Sequence, residues 1–411
     1  MFTQKDKSIV SELAKQIAEI AALPVMEERR RQWRALNALK PERPMFTVDQ
    51  ICWTEMNVND ELTPRAESPA ARWHEQQLRM ALYRHRHLDD DEVIEPFYTV
   101  PKAVTGAGLG VGAIEETLRS EGYNDIASHR YTNQFKTMDD IEKVKMPTVG
   151  HDTAETARRV AEAEELLCGA LPVIEYGWDP YISVWDPISH LMGVENALYA
   201  LIDQSEMMHA LVDRIVAAYT SMLDQMEAQS LLCHSQSLVH CTGAYSDELP
   251  APGFDPAKPR TKDIWAFGLA QMFSTVSPEM FDEYEIEPCK PLLERFGLMY
   301  YGCCDPLDRK MKQVRKIKNA RKISMSPWVN QELGASEIGR DYVFSRKPSP
   351  AFLAWTSFDA GAVRADLTAT REICRREGCP CELILKDIST VKHEPQRLWE
   401  WAKIAREVVG G

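Results

Sequence analysis

The chain opens on a helical repeat. Ile9, Leu13, Ile17 and Ile20 recur every three to four residues, which places them on one face of a helix. Residues 9–40 are therefore predicted to form two helices, stopped before Pro41 and Pro44, because proline cannot continue a helix. Beyond Pro44 the pattern changes to short apolar runs separated by long amphipathic stretches. The runs predict strands at 45–53, 93–100, 171–176, 237–241, 267–273, 298–303, 322–325, 342–345 and 381–385. Helices are predicted over 65–88, 153–168, 188–202, 206–232, 278–296, 361–377 and 395–408. On helix 206–232, Leu211, Ile215, Met222 and Met226 make one stripe, read as core packing.

Strand–helix alternation along the whole chain predicts a parallel sheet with helices on both faces. Without a break in composition, that many strands favour closure. The expected fold is α/β: a (β/α)8 TIM barrel over residues 45–411, behind an N-terminal helical extension of residues 1–44. In such barrels the chemistry sits at the carboxyl ends of the strands. The best candidate strand end is Tyr301-Gly302-Cys303-Cys304-Asp305. In an extended chain Tyr301, Cys303 and Asp305 share the inward face, which leaves Cys304 to pack on the other side. The Pro-rich stretch 246–262 reads as a long loop beside a strand end. The glycines at 106, 108, 110 and 112 lack both the Rossmann spacing and a following Lys-Ser/Thr, so they predict a loop and not a nucleotide site.

Charge narrows the partners. The chain has 411 residues and a net charge of −14, which argues against nucleic acid and anionic membranes as ligands. No apolar run approaches the roughly 20 residues of a membrane span. The amphipathic start has no signal-peptide pattern, so a cytoplasmic location is expected. Ten cysteines in a reducing compartment are expected to be thiols or metal ligands. Cys168, Cys233, Cys289 and Cys374 read as packing residues. Cys379-Pro380-Cys381 is a weak metal signal without a second pair.

Three segments carry a resemblance: LPVIEYGWDPYISVWDPISHLMGVENAL at 171–198, VSPEMFDEYEIEPCKPLLERFG at 276–297 and CELILKDISTVKHEPQRLWEWAKIA at 381–405. They resemble the third strand and helix, the "SPEMF" helix and the closing strand and helix of the uroporphyrinogen decarboxylase superfamily. YGCCDPL at 301–307, Ser326-Pro327-Trp328 and Ile384–Asp387 resemble its uncharacterised "YGCC" branch, related to corrinoid-dependent methyltransferases. The likeness spans roughly residues 45–410 and implies the barrel, with a homodimer as the usual state. The corrinoid-dependent members use a zinc held by His-x-Cys on the fifth strand and a later Cys. Here Cys303 matches the first thiolate, Tyr301 stands in place of the His, and Lys386-Asp387 in place of the second Cys.

The candidate chemistry follows from both readings. Zinc accepts S, N and O ligands, so His240, Cys303 and Cys304 are candidate metal ligands. Glu55, Glu95, Glu175 and Asp387 stand at predicted strand ends, where an acidic mouth repels a polycarboxylate such as a porphyrinogen. Glu55, Tyr301 and Asp387 are the candidates for moving a proton. Asn57, Glu175 and Lys386 are expected to bind substrate, with Lys386 alternatively paired to Asp387. Trp178, Trp185 and Trp328 offer faces to a cationic or aromatic methyl donor. The expected activity is methyl transfer between a small methylated ether or amine and a corrinoid carried by a partner protein, with Zn2+ as a possible further cofactor. The alternatives are a decarboxylase or lyase acting on a tetrapyrrole or small acid, and a non-catalytic corrinoid- or tetrapyrrole-binding scaffold.

Overall fold

The computed structural model describes residues 1–119 and 127–410. Helices α1 (Gln4–Ala21) and α2 (Pro24–Asn37) form the start. Thr3 caps α1 by accepting from the Asp6 N–H at 3.1 Å, and Pro24 opens α2, where its missing donor costs nothing. Val10, Ala14 and Ile17 are buried in a cluster with Ala71, Leu78 and Leu82 of α3 (Pro69–His87). From α2, buried Trp33 donates to the Asp91 carbonyl at 2.8 Å. Asn37 donates to the Gly243 and Tyr245 carbonyls at 3.0 and 2.7 Å.

Nine strands matter to the site. They are β1 (Met45–Val48), β2 (Tyr98–Pro101), β3 (Val173–Tyr176), β4 (Tyr181–Ile182), β5 (Trp265–Gly268), β6 (Leu298–Tyr301), β7 (Ala320–Met325), β8 (Val343–Arg346) and β9 (Cys381–Leu385). Seven form one parallel sheet in the order β1-β9-β8-β7-β6-β5-β4. β2 and β3 pair separately, also in parallel. Among the described residues no ladder joins that pair to the seven-stranded sheet, so the expected barrel is not closed by hydrogen bonds.

The sheet nevertheless curls around a shared interior. β5 and β9 stand four places apart in the sheet, about 19 Å on a flat sheet at the usual strand spacing. Yet His240, stacked on Phe267 of β5 with ring centroids 3.9 Å apart, lies 3.2 Å from the Nζ of Lys386 at the end of β9.

Alternation sorts the side chains between two cores. Trp265, Phe267, Leu298, Tyr300, Cys303 and Ile384 belong to a small inner cluster. Ala266, Met299, Tyr301, Ile323, Met325, Leu383 and Leu385 join the larger core under the helices. The same phase turns polar residues inward. Lys322 of β7 and Glu382 of β9 pair at 2.9 Å, both fully buried. The Thr242 hydroxyl donates to Glu382 at 2.6 Å, and Lys322 also donates to Thr242 Oγ1 at 2.8 Å and to the Gly243 carbonyl at 3.1 Å. The Lys322 ammonium stands 4.8 Å from the centre of the Trp33 ring, a cation–π distance.

Three local differences from the expected elements have physical causes. The predicted helix 188–202 breaks at Gly193, which takes φ +79°, into Trp185–Met192 and Val194–Asp203. The predicted strand 237–241 shrinks to Leu238–Val239 and folds back on Thr242–Gly243, with His240 at φ +55° in the turn. An antiparallel hairpin, Glu115–Arg119 with Ala127–Tyr131, carries no apolar alternation to announce it. Among the described residues no helix is long and apolar enough to cross a membrane.

Removing one member of the Lys322–Glu382 pair strands a buried charge. Glu382→Leu is expected to cost ~3–5 kcal/mol in urea unfolding. The double variant Lys322→Met/Glu382→Leu should recover most of that loss, whereas equal losses would show that the pair does not act as a unit.

Candidate functional site

The site begins where β6 stops. Gly302, one residue past the strand, takes φ +93°, and a Cβ there would lie 2.5 Å from the Leu307 side chain. This left-handed residue, which favours glycine, ends the strict alternation that the sequence implied through Asp305. Tyr301 therefore faces away from the interior. Its hydroxyl donates to Glu285 Oε1 at 2.9 Å under the helices, where burial pushes Glu285 up to about 7. It is removed from any substrate at the strand ends. Tyr300 is the inward tyrosine, 2.8 Å from Ser345 Oγ. Asp305 is buried, accepting from the Phe273 N–H at 2.8 Å; burial raises its carboxyl to about 6, with Lys310 opposing the shift. Cys304, expected to pack, is exposed.

Cys303 turns inward and meets Lys386. The Lys386 Nζ lies 3.4 Å from Cys303 Sγ and 3.2 Å from His240 Nε2. Lys386 and Cys303 are only 3% and 4% exposed. Cys304 Sγ is 3.6 Å from Cys303 Sγ. The Cys303 thiol is pushed well below its ordinary value. The main cause is the hydrogen bond with the Cys304 thiol; burial opposes it, and His240, Lys347 and Lys386 add to it. Its partner Cys304 is pushed up. Burial alone would lower Lys386, but the thiols of Cys303 and Cys241 and the Asp387 carboxylate outweigh it, so its net shift is upward. Cys303 and Lys386 thus face each other at 3.4 Å, with the thiol's shift directed downward and the ammonium's upward.

Lys347, next to the end of β8, completes the group. It is 3% exposed, and donates to Ser324 Oγ at 2.7 Å and to the Tyr300 hydroxyl. Ser324 in turn donates to the Cys303 carbonyl at 2.8 Å. Burial lowers Lys347. Neither Lys347 nor Tyr300 was among the candidates. The signal was present in the phase of β8 and β9: Lys347 is in step with Ser345, and Lys386 with Glu382 and Ile384.

The expected zinc ligands are His240, Cys303 and Cys304. Among the described residues no group of three or more His, Cys, Asp or Glu is placed to hold a metal ion. His240 and Cys303 do converge, but the Lys386 ammonium stands within 3.2–3.4 Å of both donors. A divalent cation bound by these same atoms would face that charge at close range.

The remaining candidates scatter. Glu55 accepts from the Thr390 hydroxyl at 2.8 Å and from the Val391 and His393 N–H groups at 2.8 and 3.0 Å. Burial works to raise its pKa, but these bonds outweigh it and the net shift is downward. Glu55 clamps the loop after β9, and its carboxylate oxygens are engaged there. Asn57 donates to Thr63 Oγ1 at 2.9 Å and accepts from the Leu62 N–H at 3.0 Å, closing its own loop. Glu175 is exposed on β3. Trp178 is half-buried and bridges to Leu232. Trp185 is buried in the core, donating to the Tyr284 carbonyl at 3.2 Å. Trp328 is 77% exposed in the loop after β7. Asp387 sits at φ +57° with its half-exposed carboxylate 3.7 Å from Lys386.

Of the carboxylates expected at the mouth, Asp387 stands at the centre of the site, 3.7 Å from Lys386. Glu55 is spent on a loop, and Glu95 pairs with Arg30 at 2.8 Å. The centre also holds two buried lysines, Lys347 and Lys386.

No family model matches the chain, and no curated protein matches it. Among solved structures, a methyltransferase from Methanosarcina mazei aligns over 92% of this chain and 98% of its own, with 13% identity and a TM-score of 0.49. Likeness at that level bears on neither substrate nor reaction.

A thiolate reacts with an alkylating agent and a thiol does not. Iodoacetamide labelling of Cys303 in folded protein is therefore expected to be near its plateau at neutral pH, because the thiol's pKa is lowered. In Lys386→Met the labelling curve should move to higher pH. An unchanged curve would mean that Lys386 does not hold the thiolate.

Proposed function

We propose that this chain is a methyl-transfer enzyme acting at the carboxyl end of a (β/α)8-type sheet. It takes a methyl group from a small methylated ether or amine for delivery to a corrinoid carried by a partner protein. The observation that carries the reading is the placement of Lys386 3.4 Å from Cys303 at the strand ends. It supplies a charged proton donor whose counter-ion is part of the site.

In the transfer, the bond between methyl and heteroatom breaks and the heteroatom takes up a proton. A departing alkoxide or amine is basic enough to take it from an ammonium, even one held above its ordinary pKa. Lys386 is assigned that role in place of Glu55 and Tyr301, with Asp387 at 3.7 Å as its link to solvent. Cys303 and His240 are positioning residues: both contact the Lys386 ammonium and aim it. The corrinoid, when its partner delivers it, supplies the low-valent cobalt that accepts the methyl group. Exposed Trp328, in the loop after β7, and half-exposed Tyr181, the first residue of β4, offer flat apolar surface for that encounter.

A second reading rests on the two lysines. Lys347 and Lys386 are buried among thiol and hydroxyl partners, an arrangement that favours a substrate carboxylate. A lyase or decarboxylase acting on a small acid uses the same centre.

Incubation with cob(I)alamin and a panel of methyl ethers and methylamines, with and without a carboxylate, tests both. Methylation of cobalt is expected with at least one donor, followed by its absorbance. Lys386→Met should reduce the rate about 100-fold or more, the usual scale for a lost acid catalyst. Carbon dioxide release from small acids without cobalt methylation would favour the second reading. No turnover of either kind would leave a binding scaffold.

A further inference from the structure

The paired thiols have a chemistry that methyl transfer does not use. The Cys303 and Cys304 sulfurs lie 3.6 Å apart. Cys303 is buried against the Lys386 ammonium at 3.4 Å, whereas its neighbour is exposed to solvent. The two residues follow Gly302, whose φ of +93° turns the chain out of β6. One sulfur is thus held in a cationic setting and the other stands beside it at the surface. That is the arrangement of an attacking thiolate and a resolving thiol.

We propose that Cys303 and Cys304 form a modification site for hydroperoxides, in which Cys303 is oxidised first and Cys304 closes on it as a vicinal disulfide. In the first step the Cys303 sulfur attacks the outer oxygen of the hydroperoxide and the O–O bond breaks. Cys303 becomes a sulfenic acid, and the departing oxygen takes a proton to leave as an alcohol, or as water from hydrogen peroxide. In the second step the Cys304 sulfur attacks the Cys303 sulfur and the S–O bond breaks. The hydroxide leaves with the Cys304 proton as water. The hydroperoxide gains two electrons and the two thiols lose two. To bond, the sulfurs must close from 3.6 Å to about 2.05 Å. An external dithiol restores both thiols by exchange.

The consequence for the site is electrostatic. Oxidation takes away the ionisable thiol that faces Lys386 and leaves the buried lysine with His240 and the half-exposed Asp387 nearby. Cys233, Cys241 and Cys289 serve as internal controls: all three are buried, and burial pushes each thiol up.

The test is peptide mapping of the full-length chain after exposure to hydrogen peroxide, with free thiols alkylated at each time point. The expected product is a Cys303–Cys304 peptide lighter by two hydrogens, formed before Cys233, Cys241 or Cys289 changes and reversed by dithiothreitol. Cys304→Ser should stop at the sulfenic acid and capture dimedone at Cys303. Lys386→Met should slow the first step about tenfold by lowering the thiolate fraction. Circular dichroism checks that the variants fold, and the wild-type order of oxidation requires no variant. If Cys303 oxidises no faster than Cys241, or if Cys304→Ser captures no more dimedone than wild type, the proposal is overturned. Both readouts are masses, so they stand whether or not the chain transfers methyl groups.

Discussion

Three lysines point into the concave side of one parallel sheet, and the rest of the interior is arranged around their charge. A buried ammonium is costly unless it is paired and hydrogen-bonded, and each lysine meets that demand differently. Lys322 has a buried carboxylate, Glu382 at 2.9 Å. Lys347 has hydroxyls, from Ser324 and Tyr300. Lys386 has a thiol, Cys303 at 3.4 Å. Along the strands towards their carboxyl ends, the partner changes from a carboxyl group to a thiol.

The two ends of the sheet differ accordingly. Trp33 of α2 lies under Lys322, and Asn37 ties the same helix to the Gly243 and Tyr245 carbonyls. The helices ahead of the first strand are thus part of how the Lys322 charge is buried. At the opposite end Gly302 breaks the strand, and that break separates Tyr301, which joins the helical core, from Cys303, which enters the interior. Without it, alternation would have put Tyr301 and Cys303 on one side.

Much of the architecture could be read from the chain, because period-two and period-3.6 patterns are local. β9 lies where its apolar run predicted, at Cys381–Leu385. Closure is a different matter: the pairing between distant strands is set by packing, and the described ladder does not close. The site was only partly legible for the same reason. Cys303, His240 and Lys386 were singled out, and the structure brings them together. Their relation was not legible, because spacing alone does not reveal that Lys386 contacts both His240 and Cys303. Glu55 and Glu95 looked like an acidic mouth because a sequence does not show which carboxylates are already spent on backbone N–H groups or an arginine. Tyr301 was misassigned because a single positive-φ glycine cancelled the alternation from which its direction was inferred. Lys347 was missed although it lies in phase with Ser345, because the predicted strand stopped at Ser345.

The claim on which all of this turns is that Cys303, hydrogen-bonded to Cys304 and facing Lys386, is a thiolate at neutral pH without a metal. It is tested most directly by the ultraviolet thiolate absorbance of chelator-treated, metal-free protein, taken as the difference between wild type and Cys303→Ser across a pH titration. The account predicts a difference band already present at neutral pH, which disappears only as the solution is made well acidic. A band that emerges only above neutral pH, or only when zinc is restored, would contradict it.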